Sequence, residues 1–204
     1  MTLVFLFVTV RESVSSNGRG EMWSALYHAE AWFFDKCFGV ETRKKFKDCG
    51  LGPDDNVYEP CALHHAVVAG AFARVAHREK CVMDVGAGKG KLALVLWFFG
   101  FKNIVCVEKS AYLCDVMQKN FERHGVRAKI LNCDATLTPL EPAEVIFMFF
   151  PFKGQKLSNF FCKAHRAGIE SIIFINLRGV PKAASVKFQR RQRFLGVSFL
   201  TVGF

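Results

Sequence analysis

Val82-Met-Asp-Val-Gly-Ala-Gly-Lys-Gly90 decides the fold: an apolar strand hands an acidic residue, Asp84, to three glycines at alternate positions. Glycine carries no Cβ, so such a run lets the backbone turn sharply and pass close to a bound molecule. Lys91-Leu-Ala-Leu-Val-Leu-Trp97 then opens a helix, and Ile104-Val-Cys-Val-Glu108 has the pattern of a second buried strand ending in a carboxylate. In a βαβ unit an acid about 20 residues beyond the glycines can take both hydroxyls of a ribose. The stretch is a cofactor turn.

Spacing separates two cofactor classes. A dinucleotide fingerprint needs glycine at the first, third and sixth positions, but counting from Gly86 the third is Gly88 and the sixth is Lys91, which weakens an NAD reading. The acid-x-Gly-x-Gly-x-Gly pattern instead resembles motif I of the class I S-adenosylmethionine-dependent methyltransferases, with Glu108 where that family holds the ribose. The competing structural reading is that the glycines only allow a helix to pack tightly on a strand.

The 204 residues are one ordinary domain in length, and 51% hydrophobic residues suffice for a sizeable core. The expected organisation is an apolar segment and linker over 1–20, then a single domain over 21–204, with a helical lead-in at 21–80 and the cofactor-binding sheet at 81–204. Met1 to Val8 is apolar, lacks a preceding basic residue and is too short to span a bilayer, so it reads as a packed or frayed strand rather than a targeting segment. Eight scattered cysteines form no CxxC pair, which argues against a metal site or a disulfide framework and favours a cytoplasmic or other reducing compartment. Net charge is +10, and its basic excess gathers after Ser171, at Arg178, Lys182, Lys187, Arg190, Arg191 and Arg193. Such a stripe suits an acidic partner such as RNA, or is simply a solvated face.

Met22, Trp23, Leu26, Tyr27, Phe33 and Phe34 recur at near-helical spacing, Asp48 to Asn56 is a loop, and Pro60 suits the first turn of a helix carrying Leu63, Val67, Phe72 and Val75. From Cys81 onward strands at about 81–85, 104–108, 128–132, 144–150, 170–176 and 197–203 alternate with helices at about 90–99, 110–124, 155–167 and 181–194. Ser110 can cap the second of these helices, whose Leu113, Val116, Met117 and Phe121 form a core stripe. The alternation implies an α/β fold, a parallel sheet with helices on both faces, and a ligand beyond the carboxyl ends of the strands.

The likeness to a methyltransferase extends beyond the glycines. Phe34-Asp-Lys-Cys-Phe-Gly-Val-Glu-Thr42, Tyr58-Glu-Pro60, Asp84 to Gly90, Glu108, Asn132-Cys-Asp-Ala135 and Phe147-Met-Phe-Phe-Pro-Phe152 occur in an order that resembles a small group of Rossmann-like class I methyltransferases. That resemblance implies S-adenosylmethionine as cofactor. It places Gly86, Gly88 and Gly90 against the methionine moiety, Asp84 near the sulfonium or amino group, Glu108 on the ribose and Asp134 at the adenine edge. Carboxylates at strand ends favour a cationic ligand. Asp84 and Asp134 could also serve as caps of a turn or helix.

One departure bears on the acceptor. Where the resembled group has Asn-Pro-Phe, this chain has Phe150-Pro151-Phe152, so the side-chain carbonyl that would accept from a target amine is missing. Phe150 and Phe152 could instead wall an apolar slot for a lysine stem or a planar ring. The catalytic candidates are Tyr58, Glu59 and Phe150, with His64 and His65 nearby as bases or structural residues.

The sequence thus predicts a methyltransferase with a protein lysine or other amine as acceptor. The alternatives are RNA, gathered by Arg190, Arg191 and Arg193, or a catalytically silent cofactor-binding module. A class I sheet ends with a sixth strand and an antiparallel seventh slotted between the fifth and sixth. With a basic helix expected at 181–194, residues 197–204 leave room for one strand, so the sheet is expected to be incomplete.

Overall fold

The computed structural model describes residues 19–43, 61–149, 154–175, 188–194 and 197–203. The sequence readings at residues 1–18, the 48–56 loop, Tyr58, Glu59, Pro60, Phe150 and Phe152 lie outside them. Of the apolar segment and linker expected over residues 1–20, Arg19 and Gly20 instead begin helix α1 (Arg19–Phe38). Helix α2 (Leu63–His77) follows, and then β1 (Val82–Val85), α3 (Lys91–Phe98), β2 (Ile104–Glu108), α4 (Ala111–His124) and β3 (Ala128–Asn132). The chain continues through β4 (Val145–Met148), α5 (Gly154–Arg166), β5 (Ser171–Ile175), β6 (Phe188–Phe194) and β7 (Val197–Gly203).

Among the described residues, seven strands form one sheet in the order β3-β2-β1-β4-β5-β7-β6. The first five run parallel, with β1 central and in register with β2 and β4 through Asp84↔Cys106 and Asp84↔Phe147. Strand β7 lies antiparallel between β5 and β6, pairing Ile173 with Thr201 on one side and Arg190 with Thr201 on the other. This corrects two expectations. The sheet is complete in its seven strands, and residues 188–194 are strand rather than helix. The Gln and Arg residues of that stretch are good helix formers, but pairing along its full length with β7 overrides local propensity.

Strands β1, β2, β4 and β5 are buried along their whole length, as expected for strands covered on both faces. Alternate residues feed two cores. Val82, Cys106, Phe147 and Ile173 face one that includes Ala66 and Ala69 of α2, Leu94 of α3 and Met117 and Phe121 of α4. Met83, Val107, Ile146 and Phe174 face the other, with Leu157, Phe160 and Phe161 of α5. Ser110 caps α4 as its sequence suggests, accepting from Leu113 N at 3.4 Å. Strand β7 feeds both cores: Phe199 stacks on Phe72 of α2 in the first, with ring centroids 4.4 Å apart, and Leu200 and Val202 join the second.

Candidate functional site

The carboxyl ends of β1 and β2 bring Asp84, the glycine turn and Glu108 together. Gly86 and Ala87 both donate their N–H to Val107 O, at 2.9 and 3.2 Å, so the turn starts by bending over the neighbouring strand. Gly86, Gly88 and Gly90 all have positive φ, at 78°, 57° and 80°, a region that L side chains rarely occupy. Glu108 is buried; its Oε2 accepts from Gly88 N at 3.0 Å and its Oε1 from Ser110 N at 3.0 Å. The strand-end acid therefore holds the turn and the start of α4 at once.

The three glycines do different work. A Cβ on Gly90 would stand 2.7 Å from both Met117 and Phe121 side-chain atoms, so this glycine lets α4 pack against the turn. The packing reading of the sequence thus holds at Gly90.

Asp84 is buried beneath the turn. Burial, with the nearby Glu108 charge adding to it, pushes its carboxyl up to about 7. A cationic ligand would act against these causes by favouring the ionised carboxylate. Asp134 sits in the loop after β3 and accepts from Thr136 N at 2.7 Å and Thr136 Oγ1 at 2.6 Å, so it holds a local turn. Those bonds, opposed by partial burial, leave its carboxyl below the usual range. Lys163 Nζ donates to Ala135 O at 2.7 Å and ties the same loop to α5.

The lead-in residues close over the turn from the other side. Asp35 accepts from Thr42 Oγ1 at 2.6 Å and from the N–H groups of Thr42 and Arg43 at 3.0 Å, which folds the Phe34–Thr42 segment back on α1. Buried Asn120 of α4 joins that segment to the turn. Its Oδ1 accepts from Glu41 N at 2.9 Å, and its Nδ2 donates to Glu41 O at 3.1 Å and Lys89 O at 3.0 Å. Lys89 Nζ in turn donates to Glu41 Oε1 at 2.8 Å.

Residues 61–65 lie along the same rim. Lys91 Nζ donates to Cys61 O at 2.9 Å, and burial pushes the Cys61 thiol up to about 12, which leaves it an inert thiol at neutral pH. Buried Glu30 accepts from Leu63 N at 2.6 Å and lies 3.2 Å from His64 Nδ1. The His64 and His65 rings are 4.0 Å apart, and His65 faces half-buried Phe149, just past β4, at 6.2 Å. Tyr58, Glu59 and Phe150, the catalytic candidates of the sequence, are outside the described residues. Sequence reasoning missed Asn120, Glu30 and the Lys89–Glu41 pair. Asn120 carried a signal, because it falls among Leu113, Met117 and Phe121 on the core stripe of α4, where a polar side chain needs a partner.

Residues 82–167 match the family described as a methyltransferase domain. This stretch is a methyltransferase domain. The chain is an S-adenosylmethionine-dependent methyltransferase, and S-adenosylmethionine is its cofactor. No curated protein sequence matches the methyltransferase significantly. Among solved structures it is similar to a candidate RNA methyltransferase from Pyrococcus horikoshii, at 17% identity and a TM-score of 0.58 over 85% of this chain and 95% of that one. It is also similar to yhhF, a candidate methyltransferase from Escherichia coli, at 17% identity and a TM-score of 0.57 over 68% and 85% of the two chains. A third likeness is to the Pyrococcus abyssi tRNA (uracil-54, C5)-methyltransferase in complex with S-adenosyl-L-homocysteine, at 11% identity and a TM-score of 0.53 over 76% and 41%. At these identities the likenesses establish the fold.

The residues present suit the cofactor. Two buried carboxylates beside a positive-φ glycine turn would suit a ligand that is cationic at sulfur and carries ribose hydroxyls. Among the described residues no cluster of three His, Cys, Asp or Glu side chains could hold a metal ion, and no helix is long and apolar enough to cross a membrane.

Proposed function

We propose that the methyltransferase binds S-adenosylmethionine through Asp84, the Gly86–Gly90 turn, Glu108 and Asp134, and delivers its methyl group to an amine nitrogen, with a protein lysine as the leading substrate. The observation that carries the acceptor class is the rim beside the turn. There His65 faces Phe149, and buried Glu30 stands against His64, so aromatic surface and a carboxylate lie close together. Aromatic faces suit an alkylammonium stem, and a carboxylate favours the approach of its charge.

Methyl transfer is an in-line displacement: the nitrogen lone pair forms the new bond to the methyl carbon as the bond to sulfur breaks, and the amine proton leaves for a base or water. The protein has to hold the nitrogen about 3–3.5 Å from the methyl carbon and exclude water. Tyr58 and Glu59 would orient the amine, and Phe150 would wall the slot in which its stem lies.

A second reading, RNA as acceptor, draws on the edge strand β6. Arg190 is exposed there, Arg191 and Arg193 share the strand, and two of the structural relatives carry RNA or tRNA in their names. One experiment separates the readings. The purified chain is incubated with methyl-labelled cofactor and a cell lysate, and the products are treated with protease or nuclease. Label removed by protease supports the amine acceptor; label removed by nuclease supports RNA, and then neutralising Arg190, Arg191 and Arg193 should weaken binding and flatten its salt dependence. Absence of any label under conditions where the cofactor binds would leave a silent binding module.

A further inference from the structure

The geometry points to Asn120, together with the Lys89–Glu41 pair, as a positioning element that sets the shape of the glycine turn for the cofactor. The inference rests on the cofactor site proposed above. It concerns side chains that hold the turn in shape rather than the ligand.

Three observations converge. Asn120 is buried and its amide is fully used: Oδ1 accepts from Glu41 N at 2.9 Å, and the two Nδ2 protons go to Glu41 O at 3.1 Å and Lys89 O at 3.0 Å. Lys89 lies between Gly88 and Gly90, so its carbonyl fixes the stretch of backbone whose preceding N–H, on Gly88, is held by Glu108 at 3.0 Å. The Lys89 side chain is fully buried and ends on Glu41 Oε1 at 2.8 Å, which makes a second tie between the turn and the lead-in segment.

A glycine turn has little conformational preference of its own, because every glycine in it reaches many backbone states. A ligand that binds such a turn loses affinity in proportion to the fraction of time the turn spends in other shapes. Glu108 restrains one side, and Asn120 and Glu41 restrain the other. The fold of the Asp35–Thr42 segment is therefore part of the cofactor site without facing the cofactor. Asp35 keeps that segment in place through Thr42 and Arg43.

The test is calorimetric titration of S-adenosylmethionine into the full chain and into Asn120→Ala, Glu41→Gln, Lys89→Met and Lys89→Arg, at a temperature where circular dichroism shows each variant fully folded. Asn120→Ala and Lys89→Met are expected to raise Kd by roughly tenfold. Lys89→Arg, which can still reach a carboxylate, should recover most of the affinity, and Glu41→Gln, which keeps an acceptor, should lose only part of it. A purely structural role would lower melting temperatures and leave Kd in the folded proteins unchanged. If the native chain binds and the variants that fold bind within twofold of it, the positioning role is wrong while the cofactor site stands. If the native chain fails to bind S-adenosylmethionine, the cofactor site itself is wrong and this inference falls with it. If Asn120→Ala and Lys89→Met do not fold, Glu41→Gln decides, since half-exposed Glu41 tolerates a neutral isostere.

Discussion

Glu108 Oε2 and Gly88 N are joined by a 3.0 Å hydrogen bond, so the acid that ends β2 also holds the middle glycine of the turn after β1. Truncation at Glu108 therefore removes two things, the partner proposed for the ribose and a restraint on the turn. Glu108→Ala should weaken S-adenosylmethionine binding by about 1–3 kcal/mol. Glu108→Gln, which keeps one acceptor oxygen, should lose less. Calorimetry giving the same affinity for both variants and the native chain would contradict this.

Asp84 is predicted to make cofactor binding dependent on pH. Its carboxyl stands at 3.8 in the unfolded chain and is pushed up to about 7 in the fold by burial and then by Glu108. Between those values the folded protein holds a proton that the unfolded chain has lost. The contribution of this group to stability is thus full below its unfolded value and is lost as pH rises through about 7. A cationic cofactor favours the ionised form, so binding near pH 7 should release a proton, and affinity should rise with pH through that range. Titrations in two buffers of different ionisation enthalpy should give different apparent enthalpies, and Asp84→Asn should abolish the difference. Equal enthalpies in the native protein would rule out the linkage.

Gly90 is predicted to matter for folding. Alanine there would place a Cβ 2.7 Å from Met117 and Phe121 at a φ of 80°, so overpacking and left-handed strain act together. Gly90→Ala should cost about 2–5 kcal/mol in denaturant unfolding. Gly125, also at positive φ but with no atom within 4 Å of its Cβ position, should cost only the backbone strain, about 1–2 kcal/mol. Equal effects at the two sites would show that contact with α4 is unimportant.

The C-terminal hairpin is predicted to be integral to stability. Phe199 is 2% exposed, stacks on Phe72 and pairs through its backbone with Ile175. Phe199→Ala should destabilise the protein by about 3–5 kcal/mol. A loss below about 1 kcal/mol would mean that β7 is not packed as described.

What the sequence made legible followed from strong local patterns. The Val82–Gly90 run and the Ile104–Glu108 strand carried apolar continuity and a terminal acid, and the structure sets them side by side with Asp84 and Glu108 at neighbouring strand ends. The parallel arrangement of the first five strands was legible in the same alternation of strand and helix. Strand β6 was misread because Gln and Arg favour helix locally, while its pairing partner, β7, comes later in the chain and carries the decisive apolar alternation. That single error also produced the expectation of an incomplete sheet. In the site, Asn120 and Glu30 act through partners 79 and 33 residues away, which no local pattern reveals. The Phe34–Thr42 segment was visible as a motif. Its physical content, Asp35 holding Thr42 and Glu41 meeting Lys89, needed three dimensions.

The most direct test of the central claim is calorimetric titration of S-adenosylmethionine, and separately NAD, into the native chain and Gly88→Val. Gly88 has a φ of 57° and shares its N–H with Glu108, so a β-branched side chain there should distort the turn and block the cofactor. The account predicts single-site binding of S-adenosylmethionine by the native chain, none by Gly88→Val, and none of NAD by either. Unchanged S-adenosylmethionine affinity in Gly88→Val, or selective binding of NAD, would contradict it.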